Sequence, residues 1–197
     1  MTTTTKTDKK ATTVVTPEFR ASFPAVFAPR AIDPTQEAKY SIVMLFPKAT
    51  NINALKLLVK EALIAKWGGD QTKYPKGLRL PFRDGDTMDK EETKGMVVCS
   101  ATSKQKPGVV DQKVQPILEP SEFYGGCWAR ATVTAFAYDK AGNKGVALGL
   151  RNVQKVKDDT PFSGRNKPED DFDAIPMPGG AEGGTAGGED VLGGIGV

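Results

Sequence analysis

From residue 128 to residue 138 the chain alternates two kinds of side chain without a break. Ala129, Ala131, Val133, Ala135 and Ala137 occupy the odd positions, and Trp128, Arg130, Thr132, Thr134, Phe136 and Tyr138 the even ones. Strand side chains point to opposite faces in turn, so this segment is a strand with one small apolar face and one face of rings, hydroxyls and a cation. A turn-rich stretch, Asp139–Lys144, leads to a second β run, Gly145–Lys157, and the two predict a long hairpin spanning 124–157. The small face suits the tight interior of a small barrel with a helix against it. This hairpin makes the chain mainly β.

The remaining elements fit around it. Phe19, Ala21, Phe23, Ala25 and Phe27 alternate with Arg20, Ser22, Pro24 and Val26, which predicts a strand with one aromatic face, and Pro24 inside the run predicts a bulge or an edge. Lys39–Phe46, apolar on both faces, reads as a central strand, and Met96–Thr102 as a third. Between them Leu55, Leu58, Val59, Ala62 and Leu63 form one stripe at helical spacing, predicting a helix over Asn53–Trp67 with Asn51 or Asn53 at its start and Gly68-Gly69 at its end. This helix is expected to cover one open end or face of the barrel. Residues 70–95 form a long, charged connection of the kind that is more often functional or mobile than a bare linker. Residues 1–13 are Thr- and Lys-rich without periodicity and are expected to be a disordered arm. The domain is expected over 14–160, with 161–197 an acidic, Gly-rich flexible tail.

Charge is divided unevenly between these regions. Residues 158–197 hold nine acidic side chains against Arg165 and Lys167, a net of −7, so the other 157 residues carry +10 within a total of +3. A basic body on an acidic appendage suits a polyanion binder that masks itself; a solvated acidic linker gives the same count. The chain has no His and only two cysteines, Cys99 and Cys127, without a CxxC pair. That leaves no Cys/His zinc site and removes the commonest catalytic base. Two buried, reduced thiols are expected. Asp84-Gly85-Asp86 with Asp89, Glu91 and Glu92 resembles a divalent-metal cluster, but the spacing fails the calcium-loop pattern and Asp-Gly is a common turn dipeptide. No Walker loop or nucleophile elbow is present, so the reading is of a non-enzymatic protein with no catalytic residue, metal or cofactor. No run reaches the ~18 apolar residues of a membrane helix, and the N-terminus has no apolar run, so a cytoplasmic protein with no membrane contact is expected.

The even-numbered face of the 128–138 strand has the makings of a nucleic-acid platform, because flat rings stack on bases without reading sequence while Arg and Thr reach phosphates. Strand aromatics are ordinarily core residues, which would put Trp128 inside; Arg130 and the two threonines on the same face argue for the surface. The candidate nucleic-acid contacts are Trp128, Arg130 and Tyr124, Arg151 and Lys155 on the partner strand, Lys104 and Lys106 in a basic turn, and Arg79 and Arg83 flanking Phe82.

Several motifs together resemble one family: Leu80-Pro81-Phe82-Arg83-Asp84-Gly85-Asp86, Lys106-Pro107-Gly108-Val109-Val110-Asp111, Phe123-Tyr124-Gly125-Gly126-Cys127-Trp128-Ala129-Arg130, and Gly149-Leu150-Arg151-Asn152-Val153-Gln154-Lys155-Val156. With Gly164-Arg165 and Asp171-Phe172, they are similar to the phage and prophage single-stranded-DNA-binding family first catalogued as a domain of unknown function, over roughly residues 14–175. The resemblance implies an OB-type closed barrel, sequence-independent binding of single-stranded DNA in phage replication or recombination, and an acidic tail that contacts phage or host replication proteins. Asp170, Asp171, Phe172 and Asp173, followed by Ala174-Ile175-Pro176-Met177, resemble the acidic tip by which bacterial single-strand-binding proteins recruit partners, but lie inside the chain and have Met177 where an aromatic would stand. The rival expectation is a phage structural or assembly protein that binds no nucleic acid.

Overall fold

The computed structural model describes residues 12–31, 34–140 and 142–162. All belong to the first of the chain's two units, Met1–Gly164. The second, Arg165–Val197, with the tail peptide around Phe172, lies outside the described residues, as do residues 1–11 of the N-terminal arm. The strands are β1 (Val14–Val15), β2 (Phe19–Arg30), β3 (Lys39–Pro47), β4 (Phe82–Asp84), β5 (Met96–Ser103), β6 (Gly108–Val110), β7 (Trp128–Lys140) and β8 (Asn143–Lys157), and the helix α1 (Asn53–Trp67) lies between β3 and β5.

Five strands close on themselves. β2 pairs antiparallel with β3, β3 with β5, β5 runs parallel to β8, and β8 and β7 form the predicted hairpin. β7 then returns to β2 through Phe19 and Arg20 opposite Ala129 and Trp128. The short strands β1, β4 and β6 extend the sheet on β7, β5 and β8. This is the connectivity of an OB-type barrel, in which the first three strands form a meander and the third runs parallel to the fifth.

The alternation of β7 decides where the core lies. Ala129, Ala131 and Val133 are buried, and α1 packs chiefly against this strand, which small side chains let it approach closely. The helix contributes Leu55, Leu58 and Val59 to the interior, each burial being favourable by about 1.5–3 kcal/mol. Asn51 Oδ1 accepts the Asn53 N–H at 3.0 Å, and Gly68, at φ 87°, ends the helix with its N–H on Ile64 O. Phe19 and Phe46 meet edge-to-face in the core with centroids 5.5 Å apart.

The alternation of β2 breaks where the sequence predicts it to continue. Phe23 is not on the face of Phe19: Ser22 is buried instead, and Phe23 stands 58% exposed at φ 44° with the Lys90 ammonium 4.0 Å from its ring centroid. The cause is an irregularity in the β2–β3 register between Ser22 and Ala25, at Pro24, which has no N–H for the ladder. The 70–95 connection is also more structured than its composition predicts. Lys48 Nζ bridges Asp84 at 2.8 Å and Asp86 at 2.5 Å, and Asp86 Oδ1 accepts the Gly95 N–H. The carboxylates that read as metal ligands thus hold an ammonium, which keeps their pKa values below the ordinary range.

Candidate nucleic-acid interface

Register places four small residues in one row across the outer face of the barrel. Ser41 of β3 is opposite Thr102 of β5, Thr102 opposite Gly149 of β8, and Gly149 opposite Thr134 of β7. The row stays low because Gly149 has no side chain: a Cβ there would stand 2.6 Å from Thr134 Oγ1. Phe136, 49% exposed, rises at its edge beside Gly149.

Two adjoining recesses share Thr102 and follow this row. One, of about 310 Å³, is lined by Arg30, Lys39, Ser41, Gln36 and Glu37; the other, of about 550 Å³, by Lys104, Lys106, Arg151, Phe136, Thr134 and Gly149. Five cations therefore surround a floor with one acid, Glu37, which is bound by Lys104 Nζ at 2.7 Å and held below its usual pKa by that bond. Arg30, Lys39, Lys106 and Arg151 form no ion pair among the described residues. A shallow channel of hydroxyls and backbone, edged by cations and one exposed ring, can carry a sugar-phosphate backbone with a base laid on the ring.

A second patch, at the other end of the β7–β8 ladder, is covered by the chain itself. Residues 158–162 fold back over Tyr124, Trp128 and Arg20. The Trp128 Nε1–H donates to Asp159 Oδ2 at 2.7 Å, and Tyr124 OH donates to Asp158 Oδ1 at 2.7 Å. Arg20 donates to Thr160 O at 2.7 Å and lies 4.4 Å from the centroid of Phe162, whose own N–H donates to Gly125 O. Lys155 bridges Asp158 at 2.8 Å, and Lys157 sits 5.0 Å from the Trp128 ring centroid. A side chain on Gly126 would strike Thr160 O and Pro161 Cα, so glycine there lets the strap lie flat. Burial first, and then the Asp158 carboxylate, push the Tyr124 phenol up to about 12. Asp159 is held below its ordinary value by the Trp128 N–H and by the Thr160 backbone.

The residues singled out from sequence thus fall into separate groups. Lys104, Lys106 and Arg151 line the channel, whereas Arg83 lies outside its lining, with Nη2 donating to Ser100 Oγ at 3.4 Å. Arg130 lies farther along β7, its Nε donating to Gln154 Oε1 at 2.7 Å. Tyr124, Trp128 and Lys155 are gathered under the strap. Phe82 packs against the core, and Arg79 joins the hairpin through its backbone, accepting the Val146 N–H. Arg30 and Lys39 were not among the sequence candidates; they pair across β2 and β3, and only that register brings them to Thr102. The two thiols are buried, and burial pushes Cys99 up to about 12 and Cys127 to about 11.

A closed five-stranded ring defines an OB-type barrel, and the cation-edged channel crosses its strands β3, β5, β8 and β7. The chain belongs to the family described as Enterobacter phage Enc34, ssDNA-binding protein, whose profile matches residues 12–182. It is 32% identical over 168 residues to "Putative protein p50" of Acyrthosiphon pisum secondary endosymbiont phage 1, covering 80% of this chain and 91% of that one. It is similar to the single-stranded DNA-binding protein from bacteriophage Enc34 in complex with ssDNA, with TM-score 0.65 and 30% identity over 77% of this chain and 89% of that one. Gp2.5, the single-stranded DNA binding protein encoded by bacteriophage T7, shares the fold at TM-score 0.56 and 14% identity, covering 79% of this chain and 97% of that one. The family is described by its binding of ssDNA. Among the described residues no helix is long and apolar enough to cross a membrane.

Proposed function

We propose that this chain binds single-stranded DNA in the channel over Ser41, Thr102, Gly149 and Thr134, tolerating any sequence along it. The observation that carries the reading is the convergence of Arg30, Lys39, Lys104, Lys106 and Arg151 on a low polar floor with Phe136 at its rim. Neutralised phosphates release counterions, which supplies affinity without reading bases, and a stacked ring adds about 1–3 kcal/mol per base. One barrel covers on the order of 4–16 nucleotides. The family and the Enc34 relative determined with ssDNA support the same assignment.

The strap suggests how the acidic end of the chain takes part. Asp158 and Asp159 place carboxylates on Tyr124, Lys155, Trp128 and Arg20, where phosphates would otherwise bind, so that displacing the strap uncovers a second basic and aromatic patch. The acids beyond it, Asp170, Asp171 and Asp173 with Phe172, are the proposed contact for phage or host replication proteins, in the cytoplasm of the host and in the service of phage DNA replication or recombination.

Electrophoretic shifts with single- and double-stranded oligonucleotides at several salt concentrations test the reading. Single strands are expected to shift, increasingly weakly as salt rises, and Arg151→Ala to weaken the shift. A protein that shifts neither form at low salt is not a DNA-binding protein.

A further inference from the structure

The ion pair of Glu37 with Lys104 differs from the others in where it stands. Glu37 lines the smaller recess and Lys104 the larger, so their 2.7 Å contact joins the two halves of the channel, which share Thr102. Among the described residues that line the channel, Glu37 is the one acid. Register accounts for the meeting. The β3–β5 ladder ends with Tyr40 opposite Ser103, and the next residues outward are Lys39 and Lys104. Two groups of like charge thus reach the same end of the channel. Glu37, two residues before Lys39, answers both: its carboxylate accepts from Lys104 and feels the charge of Lys39, and these hold it below its usual pKa.

Such a pair is ordinarily a staple between loops, and the molecule shows what its staples look like. Asp84 and Asp86, which hold Lys48, each accept a backbone N–H as well, from Asp86 and from Gly95. Glu37 has no such brace among the described residues. The side chains of Lys104 and Glu37 are 69% and 60% exposed, and a pair so open to water contributes little to folding. Solvent, and any anion in it, reaches Lys104 freely.

To an ammonium group a carboxylate and a phosphodiester are alike: each is a singly charged anion with two accepting oxygens. We infer that the place beside Lys104, within the field of Lys39, is a phosphate position, and that Glu37 fills it while the channel is empty. A phosphate of the bound strand takes the carboxylate's place on Lys104, and Glu37 swings out to solvent, because two anions on one ammonium repel each other. This rests on the single-strand reading above and deepens it: one of the five cations joins the DNA contacts only by exchange. Glu37 therefore lowers affinity without lowering the number of phosphates that are neutralised.

The test is titration of oligo-dT with the full chain at four or more salt concentrations. It uses the unaltered protein, Glu37→Gln, Lys104→Ala, the two substitutions together, and Glu91→Gln, which removes an exposed carboxylate from Lys94 outside the channel lining. Glu37→Gln is expected to tighten binding about two- to fivefold at low salt, the weight of one exposed ion pair, with the slope of log affinity against log salt unchanged. Lys104→Ala should lower that slope by about 0.7, the share of one phosphate on a single strand, whether Glu37 is present or replaced. Glu91→Gln should do neither. A gain from Glu37→Gln no larger than that from Glu91→Gln overturns the inference. So does a slope that steepens in Glu37→Gln while Lys104→Ala alone leaves it unchanged, because Glu37 would then keep Lys104 throughout binding. In both cases an unaltered protein that still binds leaves the channel standing. An unaltered protein that binds no oligo-dT overturns the channel and the phosphate position alike.

Discussion

The indole N–H of Trp128 donates to the carboxylate of Asp159 at 2.7 Å, across 31 residues of sequence. That one bond ties the outermost ring of β7 to the segment that follows β8, and with Arg20 on Thr160 and Phe162 it turns an open platform into a covered one. A folded Asp159 pKa below the ordinary 3.8 makes the contact contribute fully above that pH and lose its contribution as pH falls through the lower, folded value. In a Trp67→Phe background, Trp128 fluorescence is therefore expected to be flat from neutrality to near 3.8 and to change below it. Asp159→Ala should give the same change at neutral pH, and a transition centred near neutrality would contradict the assignment.

Arg151 lines the channel and forms no ion pair among the described residues. Replacing it by Ala should weaken single-strand binding and lower the slope of log affinity against log salt by about 0.7, the share of one phosphate contact on a single strand. Lys155→Ala, at a residue engaged by Asp158, should change the slope less. Titrations at four or more salt concentrations distinguish the two; equal slopes would mean that the strap patch takes phosphates as readily as the channel.

Phe136 and Phe19 test the two faces of the barrel against each other. Phe136→Ala removes an exposed ring beside Gly149 and should cost about 1–3 kcal/mol of single-strand binding with little change in thermal midpoint. Phe19→Ala empties a buried site against Phe46 and should cost about 3–5 kcal/mol of stability. Calorimetry and titration on both variants check the pair. A Phe136→Ala protein that melts early but binds normally would make that ring structural.

Both thiols are buried, with pKa values pushed up to about 12 for Cys99 and about 11 for Cys127, so the reactive thiolate is scarce near neutral pH. Ellman's reagent should label neither in the native protein and both after denaturation. Prompt labelling of native Cys127 would show that the strap end of the barrel opens readily.

Much of this architecture was legible because it is written in alternation and spacing. The alanines of β7 announced an interior too tight for large side chains, and the stripe from Leu55 to Leu63 announced the helix that fits against them. Trp128 is half-buried and Arg130 exposed, on the face that Arg130, Thr132 and Thr134 marked as the outer one. What escaped the sequence depends on register and on contacts distant along the chain. The alternation of β2 fails at Phe23 because the bulge at Pro24 shifts its phase. Arg30 and Lys39 flank a turn that says nothing of Thr102, which only the β3–β5 pairing brings beside them. Asp158-Asp159-Thr160-Pro161 has the composition of a tail, yet its partners are Tyr124, Trp128 and Arg20, and no local pattern encodes them.

The most direct test is a backbone amide chemical-shift map on adding oligo-dT to the labelled full chain. The account predicts the largest shifts at Ser41, Thr102, Gly149 and Arg151, running across β3, β5 and β8. Shifts gathered on Tyr124, Trp128 and Lys155 with that row silent would contradict it.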